Sequence, residues 1–313
     1  MKSQSHQYIF GPVPSRRLGL SLGIDIVPLK SCTLDCVYCQ LGRSSDLTNE
    51  RRDFMPVTEV IAQLKEKLEQ GVEADHITIS GSGEPTLSLS LGRIIDEIKK
   101  ITKIPVAVMT NGTLLYDPAV RNDCCKADVV LPSLDAGDPE TFTKMNRPHE
   151  ALDFNKIIEG LCQFRKEFTG KIWLEVFIVE GINTSDAQLG NIKNIIGRIR
   201  PDKVQLNTAV RPTTEPGIAA VTAEKMAIIA EKIGFGAEVI ADYPAKAAVV
   251  SHLGRATREG VLEMLQRRPC SLEDVASGLN IRKNDALTHI NALLSLGLVV
   301  EDKKGDKLFY KVK

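Results

Sequence analysis

Three things are missing from this 313-residue sequence, and each absence excludes a class of protein. It has no run of eighteen or more apolar residues, and its N-terminus lacks the apolar core of a signal peptide, so neither a membrane span nor secretion is predicted. It has no surplus of either charge, because 40 Lys and Arg balance 40 Asp and Glu. It has no regular cysteine framework, since three of its seven cysteines cluster and four are scattered. We therefore expect a soluble, cytoplasmic protein with reduced thiols and no membrane partner.

The sequence between residues 20 and 245 alternates between two patterns. Six short apolar or β-branched segments predict strands that begin near residues 20, 76, 105, 128, 171 and 203. Segments with apolar residues at helical spacing lie among them, at 57–71, 91–101, 152–168 and 186–200. Strands that alternate with helices predict a parallel sheet with right-handed crossovers, buried on both faces. Periodicity alone leaves open whether this sheet is open or curls into a partial barrel.

The C-terminal part of the chain follows a different pattern. Residues 251–313 predict three helices and a β-hairpin, the order of a small winged helix-turn-helix domain after a first domain at 1–250. Ser271 to Asp274 fits a capping box, Gly278 falls at the turn between helices, and Gly305-Asp306 marks the hairpin tip. The tail is only modestly basic, so nucleic-acid contact and protein contact both stay open as its role.

The segment SCTLDCVYCQ holds Cys32, Cys36 and Cys39 at spacings of four and three. A closed zinc or iron-sulfur centre normally takes four ligands, and the nearest histidines, His6 and His76, lie far away in the sequence. A thioredoxin-like redox pair would leave Cys32 unexplained. Two helical turns after a strand would instead present all three thiolates to one cubic cluster and leave one iron without a protein ligand. Such an open metal position invites a substrate or cofactor.

This segment resembles the CxxxCxxC signature of the radical S-adenosylmethionine (radical SAM) superfamily, with Tyr38 as the aromatic residue before the last cysteine. The resemblance covers roughly residues 10 to 245 and implies an α/β fold, a partial (β/α)6 TIM-type barrel. It implies a [4Fe-4S] cluster on the three cysteines, whose open iron binds the amino and carboxylate groups of S-adenosylmethionine. Reduction by a donor such as flavodoxin or ferredoxin then cleaves this cosubstrate to methionine and a 5'-deoxyadenosyl radical.

Further motifs of the family follow in the expected order. GSGEPTL, from Gly81 to Leu87, resembles the GGEP motif, whose glycines let the backbone approach the methionine end of the cofactor. Glu84 is then expected to accept the ammonium group, Ser133 and Asp135 to bind the ribose, and Tyr38 to lie beside the adenine. In full, the resemblance makes these residues candidate contacts of S-adenosylmethionine: Tyr38, Gly81, Gly83, Glu84, Pro85, Thr110, Asn111, Ser133, Asp135, Glu175 and Asn207.

A structural explanation stays open for several of these candidates. A Gly-rich turn before proline is common after strands, and Thr110 and Asn111 lie in a segment typical of turns. Glu175 is an isolated charge inside the apolar segment IWLEVFIVEG. Such a charge must find a partner or face a cavity, which favours a functional role for it.

Two more segments, GPVPSRRLGLSLGIDIVP and MNRPH, resemble the branch of the superfamily that includes wyosine-tRNA synthases. The resemblance makes Arg16, Arg17, Arg147 and Arg211 candidates for contacts with substrate or a cofactor carboxylate, although exposed arginines are common on any surface. The sequence departs from that branch because no cysteine precedes Cys32 to hold a second cluster. This departure argues against formation of a tricyclic tRNA base and leaves the substrate open.

Two functions are compatible with these patterns. The first is a radical SAM enzyme that abstracts hydrogen from RNA, a protein side chain or a small molecule, with the tail delivering or recognising the substrate. The second is an iron-sulfur-sensing transcription regulator that acts through the winged helix. A sensor needs no S-adenosylmethionine pocket, whereas GSGEP and the segment PSLD, residues 132–135 with Ser133 and Asp135, make sense only with one. We therefore favour the enzyme.

Overall fold

The computed structural model describes residues 7–241, 258–279, 281–305 and 307–313. Its strands are β1 Ile9–Ser15, β2 Gly19–Ile24, β3 Ser31–Cys32, β4 Asp46–Leu47, β5 His76–Ile79, β6 Val106–Met109, β7 Val129–Leu131, β8 Lys171–Ile178, β9 Lys203–Thr208, β10 Glu238–Val239, β11 Val299–Lys304 and β12 Lys307–Val312. Its helices are α1 Val57–Glu69, α2 Leu91–Ile101, α3 Pro118–Cys124, α4 Pro139–Asn146, α5 Phe154–Glu167, α6 Asp186–Ile199, α7 Ala223–Ile233, α8 Arg258–Arg267, α9 Leu272–Gly278 and α10 Lys283–Ser295, with a 3-10 helix at Pro85–Leu87.

One eight-stranded sheet organises the larger part of the molecule. Its strand order is β1-β2-β5-β6-β7-β8-β9-β10. β1 pairs antiparallel with β2, and the other neighbouring strands are parallel. The order in the sheet follows the order in the chain, so each crossover returns the chain to the next strand along. The predicted α/β fold with a mostly parallel sheet is confirmed, and within the described ranges β1 and β10 stay at opposite edges without closing a barrel.

All six predicted strands lie in this sheet, as β2 and β5 to β9. The sequence did not predict β1, which contains Pro12 and Pro14. Proline cannot donate a ladder hydrogen bond, so such a strand is tolerated at a sheet edge, and the register of β1 shifts between Phe10 and Val13. β10 has only two residues, too few to produce a periodic pattern.

The four predicted helices form as α1, α2, α5 and α6. Three further helices, α3, α4 and α7, were not predicted. The short helices α3 and α4 each start with a proline that follows a capping aspartate, Asp117 or Asp138. This start signal is readable in sequence, but seven or eight residues give too little periodicity to support it. A proline after an N-cap residue was therefore the signal that sequence reasoning overlooked.

The core lies between the sheet and the inner faces of its helices. Alternate side chains of β8, such as Leu174 and Val176, are fully buried, as is Phe164 of α5. Cys124 is also fully buried in this core, where its thiol packs as a small apolar side chain. No helix in the described ranges combines the length and the apolar character that a membrane crossing requires.

The tail has its own smaller core. Side chains of α8, α9, α10 and the β11-β12 hairpin form it, and these elements appear in the predicted order. The predicted capping box is present, with Ser271 and Asp274 each accepting from the other's backbone N–H, and Gly278 ends α9. Gly305 has a φ of 60° at the hairpin turn, a conformation that suits glycine. Asp306 and the predicted domain boundary at residue 250 lie outside the described residues, and the winged helix-turn-helix assignment stays a prediction.

Removing the Phe164 ring should create a cavity in the core. Phe164 is fully buried and stacks on Phe168 at 4.8 Å between ring centroids. We expect Phe164→Ala to lower the free energy of unfolding by about 3–5 kcal/mol. The matched control is Phe235→Ala, because the Phe235 side chain is exposed, and it should change that free energy by less than about 0.5 kcal/mol. Urea unfolding followed by circular dichroism checks both values, and equal losses would contradict this core assignment.

Candidate functional site

The three clustered cysteines lie in the loop after β2. Cys32 ends the short strand β3, and all three thiols are free and half-buried. The prediction of two helical turns here is wrong: the loop is irregular, and its local order consists of a turn in which the Cys39 N–H donates to the Cys36 carbonyl at 3.1 Å. Contacts with distant parts of the chain therefore have to hold the loop in place.

One such contact comes from the GSGEP turn that follows β5. The Glu84 N–H donates to the Ser31 carbonyl at 2.9 Å, and the Lys30 N–H donates to the Ser82 carbonyl. A Cβ built on Gly83 would overlap the Ser31 carbonyl oxygen, so only glycine allows this approach. The predicted cofactor motif and the cysteine loop thus share a backbone junction one residue before Cys32.

Asp25 holds the same turn from the end of β2. Its Oδ2 accepts from the Ser82 N–H at 3.2 Å and from the Ser82 hydroxyl. Gly81, at φ 141°, leaves room for this carboxylate, because a Cβ there would lie 2.5 Å from Asp25 Cγ. Burial raises the pKa of Asp25, and the bonds from Ser82 oppose that rise. Sequence reasoning missed Asp25, although an acidic residue directly after an apolar strand was a readable signal.

Glu84 joins the GSGEP turn to the turn after β6. Its side chain is 2% exposed, and Oε1 accepts from the Thr86 N–H at 3.0 Å and from the hydroxyls of Thr86 and Thr110 at 2.6 Å each. Oε2 accepts from the Asn111 N–H at 2.7 Å. Burial raises the pKa of Glu84, and these four donors favour the charged form. Protein donors thus occupy the carboxylate, and its predicted contact with an ammonium group stays a prediction.

Two asparagine amides point at cysteine sulfurs. Asn111 Nδ2 lies 3.6 Å from Cys32 Sγ, and Asn146 Nδ2 lies 3.4 Å from Cys36 Sγ. Burial raises the pKa of Cys32 to about 12, with the Glu84 charge adding to the rise, and it raises the pKa of Cys36 well above its usual value. The amide donors favour the thiolates, and a bound metal centre favours them far more strongly. Sequence reasoning missed Asn146, because only Arg147 was singled out in MNRPH.

Tyr38 and Asp135 meet beside Cys36. The Tyr38 hydroxyl donates to Asp135, and its ring stacks on Phe177 at 4.0 Å with an 11° interplanar angle. Asp135 also accepts from the Phe177 N–H and from Asn146 Nδ2, each at 2.9 Å. Burial raises the pKa of Asp135 to about 6. The structure brings these two predicted cofactor residues together, and the Ser133 backbone bridges that of Glu175 nearby.

The isolated charge of Glu175 has partners. Arg17 forms an ion pair with it, and Asn207 Nδ2 donates to Glu175 Oε1 at 2.9 Å. The Arg17 and Glu175 side chains are 13% and 14% exposed, so this ion pair is largely buried. Arg17 also approaches Met109 Sδ at 3.9 Å.

The other predicted arginines contact protein groups as well. Arg16 donates to the Ile240 carbonyl at 3.0 Å, and Arg147 pairs with Glu215 at 2.7 Å. Arg211 pairs with Asp274 of α9 at 3.1 Å. The structure therefore spreads the four candidate arginines over separate places instead of gathering them around one anion.

A second clamp on the cysteine loop comes from the segment after β9. The Thr214 N–H and hydroxyl both donate to the Cys39 carbonyl at 2.8 Å, and the Glu215 N–H donates to the Val37 carbonyl at 3.1 Å. These bonds fix the last cysteine of the loop. Sequence reasoning missed Thr214 and Glu215, since nothing local in RPTTEPG indicates a partner so far away in the chain.

The donor set fits an iron-sulfur cluster better than a single metal ion. Across the described ranges, no three His, Cys, Asp or Glu side chains are placed around one ion. A cubic cluster is larger, and each thiolate binds a different iron. Three free, half-buried thiols in one clamped loop, two of them facing amide donors, suit such a cluster.

Comparisons with known proteins agree with this geometry. A sequence model of the Radical SAM superfamily matches residues 26–189. The UPF0026 protein MJ1312 of Methanocaldococcus jannaschii is 32% identical over 309 residues, which cover 96% of this chain and 94% of that protein. A protein of Brachyspira hyodysenteriae named GTPase Obg is 39% identical over 305 residues, 97% of this chain but only 45% of that relative. The chain thus spans less than half of that longer relative.

Solved structures share the fold. A structure of TYW1 with a lysine-pyruvate adduct bound has a TM-score of 0.54 and 17% identity, over 72% of this chain and 75% of that one. A radical SAM methyltransferase from Sphaerobacter thermophilus has a TM-score of 0.52 and 16% identity, over 72% and 67% of the two chains. At these identities the similarity shows a common fold and nothing further.

A side chain at Gly83 should separate the two loops. We expect Gly83→Ala to bind less than half of the wild-type iron and sulfide after anaerobic reconstitution, because its Cβ overlaps the Ser31 carbonyl. The matched control is Gly190→Ala in α6, where no heavy atom lies within 4 Å of the added Cβ. Chemical analysis of iron and sulfide checks both variants, with circular dichroism to verify folding. Wild-type iron content in folded Gly83→Ala would contradict the junction.

Glu84→Gln should destabilise the protein even without any ligand. The change places an amide NH2 where the carboxylate accepts hydrogen bonds from four donors, which leaves buried donors facing each other. We expect the free energy of unfolding to fall by about 1–3 kcal/mol. Glu73→Gln, on an exposed loop, is the control and should be neutral. Denaturant unfolding of the cofactor-free chain measures both, and an unchanged Glu84→Gln would rule out this structural role.

Proposed function

Because the chain belongs to the radical SAM superfamily, we propose that it is an enzyme that binds a [4Fe-4S] cluster through Cys32, Cys36 and Cys39 and cleaves S-adenosylmethionine to abstract hydrogen from a substrate still to be identified. The observation that carries this proposal is the junction of the cysteine loop with the GSGEP turn, through the Glu84 N–H and the Ser31 carbonyl. This junction brings the predicted cluster ligands and the predicted cosubstrate motif to one place.

Each part of the site has a distinct task in this proposal. A cluster held by Cys32, Cys36 and Cys39 and reduced by the electron donor would supply the electron for reductive cleavage of S-adenosylmethionine to methionine and a 5'-deoxyadenosyl radical. The amides of Asn111 and Asn146 favour the thiolate forms of Cys32 and Cys36. Gly81 and Gly83 let the backbone of the turn approach the methionine part of the cosubstrate.

Residues near the carboxyl ends of the parallel strands would make the remaining contacts with the cosubstrate. Ser133 and Asp135 come after β7, where the carboxyl ends of parallel strands build sites, and they would bind the ribose. Tyr38 lies against Asp135 and would flank the adenine. The other proposed contacts of S-adenosylmethionine are Pro85, Thr110, Asn111, Glu175 and Asn207. The Thr110 hydroxyl acts through Glu84, and Glu175 and Asn207 form a polar group with Arg17.

The substrate class stays open among RNA, a protein side chain and a small molecule. The tail would recognise the larger substrates, and an electron donor of the flavodoxin or ferredoxin kind would reduce the cluster. A cluster on free thiols calls for a reducing compartment, so we place the enzyme in the cytoplasm. The similarity of GPVPSRR and MNRPH to the wyosine-tRNA synthase branch remains a prediction from sequence. No comparison supports the alternative of a transcription regulator.

Cleavage of S-adenosylmethionine tests the proposal directly. We expect the reconstituted protein with dithionite and S-adenosylmethionine to form 5'-deoxyadenosine, and Cys36→Ala to lower the yield by at least about a hundredfold. Cys162→Ala is the matched control, because Cys162 lies in α5, half-buried and away from the cysteine loop. Chromatography with mass detection measures the product. A fully clustered wild-type sample that forms none would refute the enzyme, and full activity of Cys36→Ala would refute the cluster ligands.

A further inference from the structure

The tail is anchored to the sheet domain by two ion pairs. Arg267, the last residue of α8, places Nη1 3.5 Å from Oδ2 of Asp25. On the other side, Asp274 of α9 accepts from Arg211 Nη2 at 3.1 Å. The backbone carbonyl of Arg211 accepts from Lys304 of β11 at 2.8 Å, and α9 packs against β1. The tail therefore contacts elements near both edges of the open sheet.

The Arg267 side chain packs against an aromatic ring as well as pairing with Asp25. Its guanidinium carbon lies 3.4 Å from the centroid of the Phe10 ring, a cation-π contact. The Phe10 ring in turn covers Gly23, where a Cβ would overlap it. Arg267 Nε and Asp25 Oδ1 are buried, and neither has a hydrogen-bond partner among the described residues. The contact of Arg267 with the sheet domain thus depends on charge and stacking more than on a saturated hydrogen-bond network.

The partner of Arg267 already holds the predicted cosubstrate motif. Asp25 Oδ2 is the atom that accepts from the Ser82 N–H and hydroxyl, and it is also the atom nearest to Arg267. A cation at this oxygen keeps the buried carboxylate charged, and a charged carboxylate is the stronger acceptor for Ser82. The Asp25 side chain therefore connects Arg267 of the tail with the GSGEP turn.

The second anchor leads to the cysteine loop in the same way. Arg211 is 8% exposed, and its side chain faces Asp274 while its carbonyl faces Lys304. Three residues later, Thr214 donates twice to the Cys39 carbonyl. The two anchors thus end on the two loops that meet at the proposed cofactor site.

We propose that Arg267 and Asp274 are positioning residues for the cofactor site of the sheet domain. Arg267 orders the GSGEP turn through Asp25, and Asp274 orders the Cys39 end of the cysteine loop through Arg211. The ordering is a property of the chain without cofactors, and its effect on S-adenosylmethionine affinity rests on the proposed function. A tail that undocks from these contacts would leave a site with looser loops and weaker cosubstrate binding.

Amide hydrogen exchange of the cofactor-free chain tests the ordering. We expect Arg267→Ala to speed exchange about tenfold in peptides covering 79–87, and Arg267→Lys to restore much of the protection because it keeps the cation. Asp274→Asn keeps a capping oxygen for α9 but removes the charge, and it should speed exchange in 37–39 and 213–217 instead. Lys311→Ala, which breaks an ion pair with Asp302 inside the hairpin, is the control and should change neither region. Retained protection of α10 would show that each variant tail is folded.

Cosubstrate affinity provides the second measurement. In reconstituted protein with equal iron content, Arg267→Ala should raise the dissociation constant of S-adenosylmethionine about tenfold, a typical coupling between sites, and Lys311→Ala should leave it unchanged. Unchanged exchange in 79–87 with a folded Arg267→Ala tail would overturn the positioning role. That result is independent of whether the wild-type chain cleaves S-adenosylmethionine, so failure of this inference and failure of the proposed function can be told apart.

Discussion

The approach of the GSGEP turn to the residues before Cys32 is the constraint on which the rest of the site depends. Gly83 has no room for a side chain against the Ser31 carbonyl, so the end of β5 and the loop after β2 are fixed at backbone distance. Glu84 then extends the junction to the end of β6 through Thr110 and Asn111, and Asn111 reaches back to Cys32. A closed ring of contacts results, in which the turns after three neighbouring strands support one another.

Three buried carboxylates lie near the carboxyl ends of the strands and share the same surroundings. Asp25, Glu84 and Asp135 come directly or shortly after β2, β5 and β7, at the carboxyl ends of the strands. Burial raises the pKa of each one, and each accepts hydrogen bonds that favour the charged form. The charges of Glu84 and Asp135 add to the raised pKa of Cys32 and Cys36 and so disfavour the free thiolates, whereas a bound cluster would supply compensating positive charge. The charges around the cysteines therefore favour the site with its cluster bound.

Local patterns predicted the fold well and the site in part. Short apolar segments were sufficient to predict the six strands β2 and β5 to β9, whereas the prolines of β1 concealed an edge strand. The family motifs located Glu84 and Asp135, but Asn146 and Thr214 act through contacts with residues 110 and 175 positions away. The helical turns expected around Cys36 do not form, and contacts with distant segments hold that irregular loop together with a local turn. Such contacts exist only after folding, so sequence spacing does not reveal them.

The tail contacts the sheet domain near the two edges that the open sheet leaves unpaired within the described ranges. β1 and β10 end the sheet without pairing with each other in the described ranges, and the two edges are linked by Arg16, which donates to the Ile240 carbonyl just after β10. The tail packs on β1 and on the segment after β9, so it contacts elements near both edges of the sheet. Under the positioning role that we propose for Arg267 and Asp274, coupling is reciprocal, so a ligand that favours the docked tail also favours cosubstrate binding. A substrate bound by the tail would, under this proposal, raise the affinity of the sheet domain for S-adenosylmethionine through the ion pairs of Arg267 and Arg211.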